Sequence, residues 1–396
     1  MKKSLLALAV ASAAFVATSV SATPVYNKDG TSLDIGGRIE ALWLSGGNHS
    51  VANNDGTNVS DDQTIRNRAR LNIGGRTQLT NGIAAYGFTE WQSQNVGDSK
   101  SDNGFATRDQ YVGVDFGKFG KVQAGRWEDF MKYVVGVTDH FEEYGLMAAQ
   151  GKDRNSGKLA YQWSGYGFDA KLTYQFATNN YTAQSLKNVK IGTDVDVNDG
   201  FSIVVGYTSP KVLFGPIAVR TGYQYLDGQN DKQHTLTSLD HLKLWNVGLS
   251  WGTFGQGFYI GADYGIGKTE LINLSTGSTF SSVAADKSDE LTTKSIETIV
   301  SYGFDSGVVL SAGYQWQKEE MDDAKFAGTE SSDRTAKLVQ FTAAYNINPN
   351  FRIWAEANID AGSDDYYSLT AQKFNNGKVG DKDAENFYAI GARYTF

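Results

Sequence analysis

The amino-acid sequence predicts an all-β fold, a 16-stranded antiparallel transmembrane β-barrel. Three observations lead to this prediction: runs of about ten residues that alternate apolar and polar side chains, connections that alternate between short turns and long polar segments, and many glycines and aromatics beside only 4 prolines. Strands of soluble proteins are usually about five or six residues long, whereas a tilted strand that crosses a bilayer needs about nine to eleven.

The strand pattern is clearest in residues 168–176. Phe168 and Tyr174 share one face there, and Asp169 and Lys171 share the other. Later stretches repeat this period of two, which is the period of side chains along a strand. Each strand therefore has one apolar face and one polar face.

The connections set the number of strands. Short turns are predicted near residues 81–82, 117–118, 164–167, 209–215, 253–255, 305–307 and 348–350. Long polar segments cover roughly residues 45–64, 96–105, 127–152, 178–199, 227–241, 269–290, 318–333 and 362–383. These connections join sixteen strands, and an even number suits a closed barrel with both termini on one side. For that reason the strand-like stretch 189–197 is placed in a loop.

Residues 1–22 are predicted to be a removable signal peptide. Two lysines precede an apolar run over residues 5–17, which is too short to span a bilayer, and small residues lead to a cleavage site after Ala22. Residues 23–396 are then the barrel domain.

The composition argues against several kinds of protein. With 36 basic and 44 acidic side chains the net charge is −8, which argues against a nucleic-acid partner. There is no cysteine and there are only 4 histidines, so no metal-binding constellation stands out and we expect no cofactor. No stretch approaches 18 consecutive apolar residues, so a helical membrane protein is not predicted.

Arginine placement indicates which face of the strands lines the interior. Within residues 65–79 one parity holds the apolar side chains and the other holds Arg66, Arg68, Arg70 and Arg76. An arginine that faces lipid near the midplane costs about 2–4 kcal/mol. The arginine row should therefore face a water-filled lumen.

Residues 125–145, GRWEDFMKYVVGVTDHFEEYG, break the strand pattern directly after a strand and hold five aromatics and five carboxylates. A barrel of sixteen strands is too wide for its own side chains to fill, so something must narrow it. We predict that this segment folds inward as the third loop, with carboxylates opposite the arginine row, where a transverse field would filter ions. The alternative is an outer loop that lies over the rim.

From residue 26 to its end the sequence resembles the trimeric general porins of Gram-negative outer membranes. Inside residues 125–145, GR, then G-x-T-D, then E-[YF]-G match that family's inward third loop. The resemblance implies that Asp139 and Glu143 are constriction carboxylates, with Glu142 as an extra acid where the family has proline. The basic residues that it implies on the opposite wall are Arg38, Arg70, Arg108 and Arg154.

The resemblance also implies function, partners and location. We expect a non-enzymatic channel for passive diffusion of small hydrophilic solutes and ions, located in the outer membrane of a Gram-negative cell. A homotrimer in contact with outer-membrane lipid and lipopolysaccharide is implied as well. The extra acid Glu142, near Glu128, Asp129 and Asp139, predicts a mild preference for cations.

Two alternative functions stay open at this point. A substrate-selective, sugar-type porin would use the aromatics of the inward loop as a stacking track, namely Trp127, Phe130, Tyr133, Phe141 and Tyr144. A barrel enzyme is less favoured, because a hydrolase needs a base held near a nucleophile by an orienting partner. The sequence shows no such set, and His140 is interpreted as a loop-packing residue.

Overall fold

The computed structural model describes residues 23–52, 58–96, 103–143, 154–181, 195–229, 238–272, 288–322, 332–362, 374–375, 378–379 and 386–396. The predicted signal peptide lies outside these residues. No helix within the described ranges is long and apolar enough to cross a bilayer.

One antiparallel sheet makes up almost all of the described chain. In chain order the strands are β1 (Thr23–Lys28), β2 (Thr31–Ala52), β3 (Asn58–Thr80), β4 (Ile83–Val96), β5 (Asn103–Asp115), β6 (Lys121–Glu128), β7 (Arg154–Gly165), β8 (Phe168–Gln175), β9 (Thr178–Tyr181), β10 (Val195–Val212), β11 (Gly215–Gly228), β12 (Ser238–Thr253), β13 (Gln256–Ile272), β14 (Ser288–Gly303), β15 (Val308–Met321), β16 (Asp333–Asn348), β17 (Phe351–Asp360), β18 (Phe374–Asn375), β19 (Lys378–Val379) and β20 (Phe387–Thr395). Strands β18 and β19 form a separate small hairpin.

The large sheet closes into a barrel because the last strand, β20, pairs with β2. The closed ring consists of β2 to β8, β10 to β17 and β20, which confirms the predicted sixteen antiparallel strands. Strand β1 pairs with the first residues of β2. Strand β9 follows β8 in the chain and pairs with the first residues of β10.

Short turns at one end of the barrel lie at all seven predicted places. They join β3 to β4, β5 to β6, β7 to β8, β10 to β11, β12 to β13, β14 to β15 and β16 to β17. Two predicted loop boundaries are wrong. Strands β2 and β3 stay paired as far as Ala52 and Asn58, so the predicted loop over residues 45–64 is much shorter. Strand β10 begins at Val195, because Val195 pairs with Tyr181, so the described part of the 189–197 stretch is strand. The strand count stays even, since these residues lengthen an existing strand.

The two faces of each strand differ in exposure. On β10, Phe201, Ile203 and Val205 are 41% to 45% exposed, whereas Ser202 and Val204 between them are buried. In a closed barrel the exposed apolar face is the outer one, which meets lipid, and the buried positions face the lumen.

The last residue, Phe396, is hydrogen-bonded to Gly37 on β2. The Phe396 N–H donates to the Gly37 carbonyl and the Gly37 N–H donates to the Phe396 carbonyl, both at 3.0 Å. A Cβ atom at position 37 would lie 2.7 Å from the Phe396 ring. Glycine at this position therefore leaves room for the terminal aromatic side chain.

Candidate functional site

Residues 129–143, called the inner segment below, leave the end of β6 and lie inside the barrel rather than over its rim. They include the short helix α1 (Met131–Val135), which contacts β10, β11 and β12. Met131, Val134 and Val135 are fully buried against the lumenal wall. The inner segment therefore occupies part of the lumen.

A row of glycines makes this close packing possible. We call it the glycine strip: Gly206 on β10, Gly222 on β11, Gly248 on β12, Gly261 on β13 and Gly313 on β15. A Cβ atom on Gly248 would lie 2.4 Å from the carbonyl oxygen of Val134, and one on Gly261 would lie 2.3 Å from that of Val137. At Gly313 it would lie 2.6 Å from the Phe141 ring. Sequence reasoning missed this strip, although lumen-facing glycines inside strands are its signal.

The beginning of the inner segment is held by polar contacts. Asp129 is 7% exposed, and its carboxylate accepts hydrogen bonds from the Met131 backbone N–H and from Gln224, both at 2.9 Å. The Tyr133 hydroxyl donates to Asp169 at 2.8 Å, and Arg220 covers the Tyr133 ring at 4.1 Å. Burial and the hydrogen bond to Asp169 raise the pKa of Tyr133 to about 12. The neutral Tyr133 side chain therefore holds the beginning of the inner segment to Asp169 on β8.

His140 lies in an aromatic pocket further along the segment. Its ring stacks on Phe254 at 3.9 Å and meets Tyr259 edge-on at 5.3 Å. Its Nε2 atom is 3.4 Å from the Tyr259 hydroxyl. Burial, with a smaller effect from Arg220 and Arg352, lowers the pKa of His140 to about 4, so the ring is neutral at pH 7. These contacts show a packing role for His140.

Two acidic residues fasten the end of the inner segment. The Glu142 carboxylate contacts Arg393 at 2.6 Å and Arg352 at 3.1 Å. The Glu143 carboxylate contacts Arg66 and lies 3.0 Å from Arg68. These four arginines come from β3, β17 and β20, so the segment reaches most of the way around the lumenal wall.

A buried acceptor fixes the same end through the backbone. The N–H groups of Glu142 and Glu143 donate to the two carboxylate oxygens of Glu356 at 2.7 and 3.2 Å. The side chain of Thr342 donates to Glu356 as well, at 3.2 Å. The orientation of both acidic side chains is thus set by the wall.

Three of the four predicted basic residues come together on the wall. Arg38 lies directly opposite Arg70 in the β2–β3 register. The Gln92 side-chain oxygen accepts from Arg70 at 2.7 Å and from Arg108 at 3.1 Å, and Arg108 also contacts Glu90 at 2.7 Å. Arg70, Arg108 and Arg38 therefore form a continuous basic surface.

A β-bulge places Arg108 in this group. Glu90 pairs with Asp109 and Trp91 pairs with Thr107, which leaves Arg108 as the extra residue. Both Arg108 and its neighbour Asp109 consequently reach lumenal partners, which strict alternation does not allow.

The fourth predicted basic residue, Arg154, lies at the root of the inner segment. It contacts Asp109 at 2.9 Å and Glu128 at 3.0 Å. Lys132 in turn lies 2.8 Å from Glu128 and 3.6 Å from Asp139. A chain of ion pairs thus connects Arg154 with the predicted carboxylate of Asp139.

The charge distribution differs from the one expected at first. The acids on which a cation preference was predicted all have partners: Asp129 accepts hydrogen bonds from Met131 and Gln224, Glu142 lies between two arginines, and Glu128 and Asp139 contact Lys132. Arg70, by contrast, donates to a neutral amide and forms no ion pair with any residue of the described ranges. The four carboxylates of Glu128, Asp129, Asp139 and Glu142 therefore give the lumen no excess of unpaired negative charge.

Among the described residues, one cluster of at least three metal-ligating side chains is present. It consists of Asp240, His241 and Glu270, on β12 and β13. The lumenal carboxylates described above contact arginine, lysine, amide or hydroxyl side chains or backbone N–H groups instead.

The sequence model of the Gram-negative porin family matches residues 4–365. Outer membrane protein U of Vibrio vulnificus is 33% identical over 245 residues, which are 60% of this chain and 64% of that protein. Outer membrane porin PhoE of Enterobacter cloacae is 26% identical over 410 residues and the match covers 100% of both chains. The solved OmpF of Salmonella typhi, in complex with daunomycin, has a TM-score of 0.66 at 20% identity, covering 94% of this chain and 100% of that one.

Proposed function

Because the chain belongs to the Gram-negative porin family, we propose that its inner segment and the arginine wall form the constriction of a general diffusion pore. The protein is an outer-membrane channel through which small hydrophilic solutes pass passively, and it performs no reaction. The long connections face outward from the cell and the short turns face the periplasm. The predicted signal peptide, residues 1–22, fits export to that membrane.

The observation that carries the constriction proposal is the ion-paired end of the inner segment. Four arginines hold Glu142 and Glu143 against the lumenal wall, beside the basic surface of Arg70 and Arg108. Charges fixed around a water-filled gap act on every ion that passes. We assign the constriction to Arg38, Arg70, Arg108, Arg154, Asp139, Glu142 and Glu143.

The sugar-type alternative receives little support from the aromatic side chains. Lys158 lies over the Trp127 ring at 4.7 Å, Lys171 lies over Phe130 at 5.1 Å, and Arg220 covers Tyr133. Phe141 is packed on Gly313, and Tyr144 lies outside the described residues. A stacking track needs open ring faces, whereas these faces are covered by cations or by the wall.

Two double variants test the constriction. Arg70→Gln with Arg154→Gln is expected to shift the reversal potential in a KCl gradient toward cations, and Asp139→Asn with Glu143→Gln is expected to shift it toward anions. At about 8 Å in water one charge contributes about 0.5 kcal/mol, which screening over a Debye length of about 8 Å reduces to about 0.2 kcal/mol. Two charges act with opposite sign on anions and cations, so each pair is expected to change the anion/cation permeability ratio about fourfold. Planar-bilayer recording measures this ratio.

The matched control is Lys118→Gln with Lys211→Gln, which removes two charges near the periplasmic turns. Its permeability ratio should stay close to that of the unmodified chain. If neither constriction double variant moves the reversal potential beyond this control, these residues do not line the narrow part of the pore.

A homotrimer is known for the family and is our proposal for this chain. Some outward positions on β3, β4 and β5 hold small or polar side chains among the apolar ones: Gly75 lies opposite Gly87, and Thr89 lies opposite Gln110. Lipid is a poor environment for such polar groups. This face is therefore the one that fits a neighbouring copy.

Contact with lipopolysaccharide is proposed from a band of lysines near the extracellular ends of five consecutive strands. Its members are Lys243, Lys268, Lys294, Lys318 and Lys337 on β12 to β16. Lys294 lies directly opposite Lys318, and both contact Glu320, at 2.9 and 2.7 Å. Mixed charge at the level of the head groups suits phosphates and their divalent counterions.

Native mass spectrometry of the detergent-solubilised protein tests both the homotrimer and the contact with lipopolysaccharide. We expect the mass of three chains with retained phosphorylated glycolipid, and we expect less glycolipid on the variant Lys294→Gln with Lys318→Gln. A variant at the opposite rim, Lys118→Gln with Lys211→Gln, should retain it. A single-chain mass would contradict the trimer, and equal glycolipid on all three proteins would contradict the lysine band.

A further inference from the structure

A β-bulge near the extracellular end of β12 brings three ligating side chains together. Leu239 pairs with Leu271 and His241 pairs with Glu270, so Asp240 is the extra residue between them. The His241 Nδ1 atom lies 2.8 Å from an Asp240 carboxylate oxygen and 3.4 Å from a Glu270 oxygen. One ligating atom of each residue lies within 4.8 Å of the other two.

The cluster faces outward at the base of the extracellular connections. His241 has the same parity as Trp245 and Leu249, which are exposed on the lipid side, and Glu270 has the parity of the exposed Ile260. The cluster is therefore on the opposite side of the barrel wall from the lumenal site, and its role does not depend on solute passage.

The surrounding register concentrates negative charge there. Asp227 lies opposite His241, and Glu270 lies opposite Glu290. Like charges that are directly opposite each other destabilise a sheet. Lys268 contacts Glu290 at 2.6 Å, whereas Asp240 and Glu270 approach the imidazole. A cation bound between the carboxylates of Asp240 and Glu270 would reduce the repulsion among these acidic side chains.

We propose that Asp240, His241 and Glu270 form a binding site for a divalent transition-metal cation such as Zn²⁺. With metal–ligand bonds of about 2.1 Å, neighbouring ligand atoms are about 3.0 Å apart in an octahedral site and about 3.4 Å apart in a tetrahedral one. The distances from Nδ1 to the two carboxylates, 2.8 and 3.4 Å, lie close to these values.

The donor set also indicates which cation is preferred. One imidazole nitrogen and two carboxylate oxygens suit Zn²⁺ and similar borderline ions, whereas Mg²⁺ prefers oxygen ligands and keeps its waters. Binding takes the neutral imidazole tautomer with its proton on Nε2, which leaves the Nδ1 lone pair directed at the metal. An excess of Mg²⁺ should therefore not displace bound Zn²⁺.

Isothermal titration of the full-length protein in detergent with ZnCl₂, in excess Mg²⁺, tests the site. We expect the unmodified protein to bind one Zn²⁺ per chain. In His241→Gln and in Glu270→Gln the affinity for Zn²⁺ should fall by more than the about 10–100-fold that is typical of losing an outer-sphere partner. Heat-modifiable migration on a gel shows that each variant is a folded barrel. Co²⁺ gives a second readout, because its visible spectrum reports nitrogen coordination.

The matched control is His49→Gln, which removes the histidine near the end of β2, opposite Asp61 in the register. This variant should bind Zn²⁺ like the unmodified chain. Equal binding by the unmodified chain and both site variants would overturn the proposal, and so would a Co²⁺ spectrum that His241→Gln leaves unchanged.

Discussion

Replacing Gly248 and Gly261 with valine is expected to push the inner segment off the barrel wall. A Cβ atom at these positions would lie 2.4 and 2.3 Å from the carbonyl oxygens of Val134 and Val137. Strands β12 and β13 are paired along their length and cannot retreat, so the segment must move. Overpacking of this kind costs about 1–3 kcal/mol at each site.

Limited proteolysis measures the effect, because Lys132 of the inner segment offers trypsin a cleavage site. Docked against the wall, this bond should resist cleavage, and the double variant should be cut there under conditions that leave the unmodified barrel whole. Its single-channel current should also become noisier as the constriction loses its fixed position.

The control is Gly74→Val, a lumen-facing glycine of β3 away from the inner segment. A Cβ atom there meets only the Phe88 ring, at 3.6 Å, which is an ordinary contact. This variant should resist trypsin at Lys132 like the unmodified chain. Equal resistance of the Gly248 and Gly261 double variant would show that the glycine strip does not hold the segment.

The barrel was predictable from sequence because its signals are local. Alternation along residues 168–176 and the turn residues at 81–82 need no knowledge of distant contacts, and both appear in the structure as predicted. Strand ends were less predictable. Residues 189–197 look like a strand, but the even strand count placed them in a loop, so the start of β10, where Val195 pairs with Tyr181, was misplaced.

The lumenal site was predictable only in part, because its contacts join residues far apart in the chain. Arg66 and Arg68 belong to the row that alternation directs into the lumen, yet nothing in their spacing shows that Glu143 would reach them. The bulge at Arg108 likewise depends on how β5 meets β4. The family resemblance pointed to the residue types at the constriction, whereas the path of the inner segment decides which charges meet.

Lowering the pH from 7 toward 4 is expected to loosen the inner segment, and His140→Phe is expected to remove much of this response. His140 has a pKa of about 4 when docked, compared with about 6.5 for a histidine in water. Between these values the undocked ring takes up a proton that the docked ring does not. Docking is therefore fully stable above about pH 6.5 and weakens as the pH falls toward 4, by about 3 kcal/mol.

The surroundings of His140 explain why the charged ring is disfavoured. Phe254 and Tyr259 enclose it, and the nearby guanidinium groups of Arg220 and Arg352 repel a second cation. Phenylalanine keeps the stacking contact with Phe254 but cannot take up a proton. The variant thus separates the packing role of this side chain from its titration.

Hydrogen exchange of the inner segment at pH 7 and at pH 4.5, corrected for the intrinsic exchange rate at each pH, measures the response. In the unmodified chain the backbone N–H groups of Gly136, Thr138 and His140, which donate within the segment, should lose protection at the lower pH. All other acidic groups are common to both proteins, so the difference between the two proteins isolates His140. An equal loss of protection in His140→Phe would show that groups other than His140 cause the acid response.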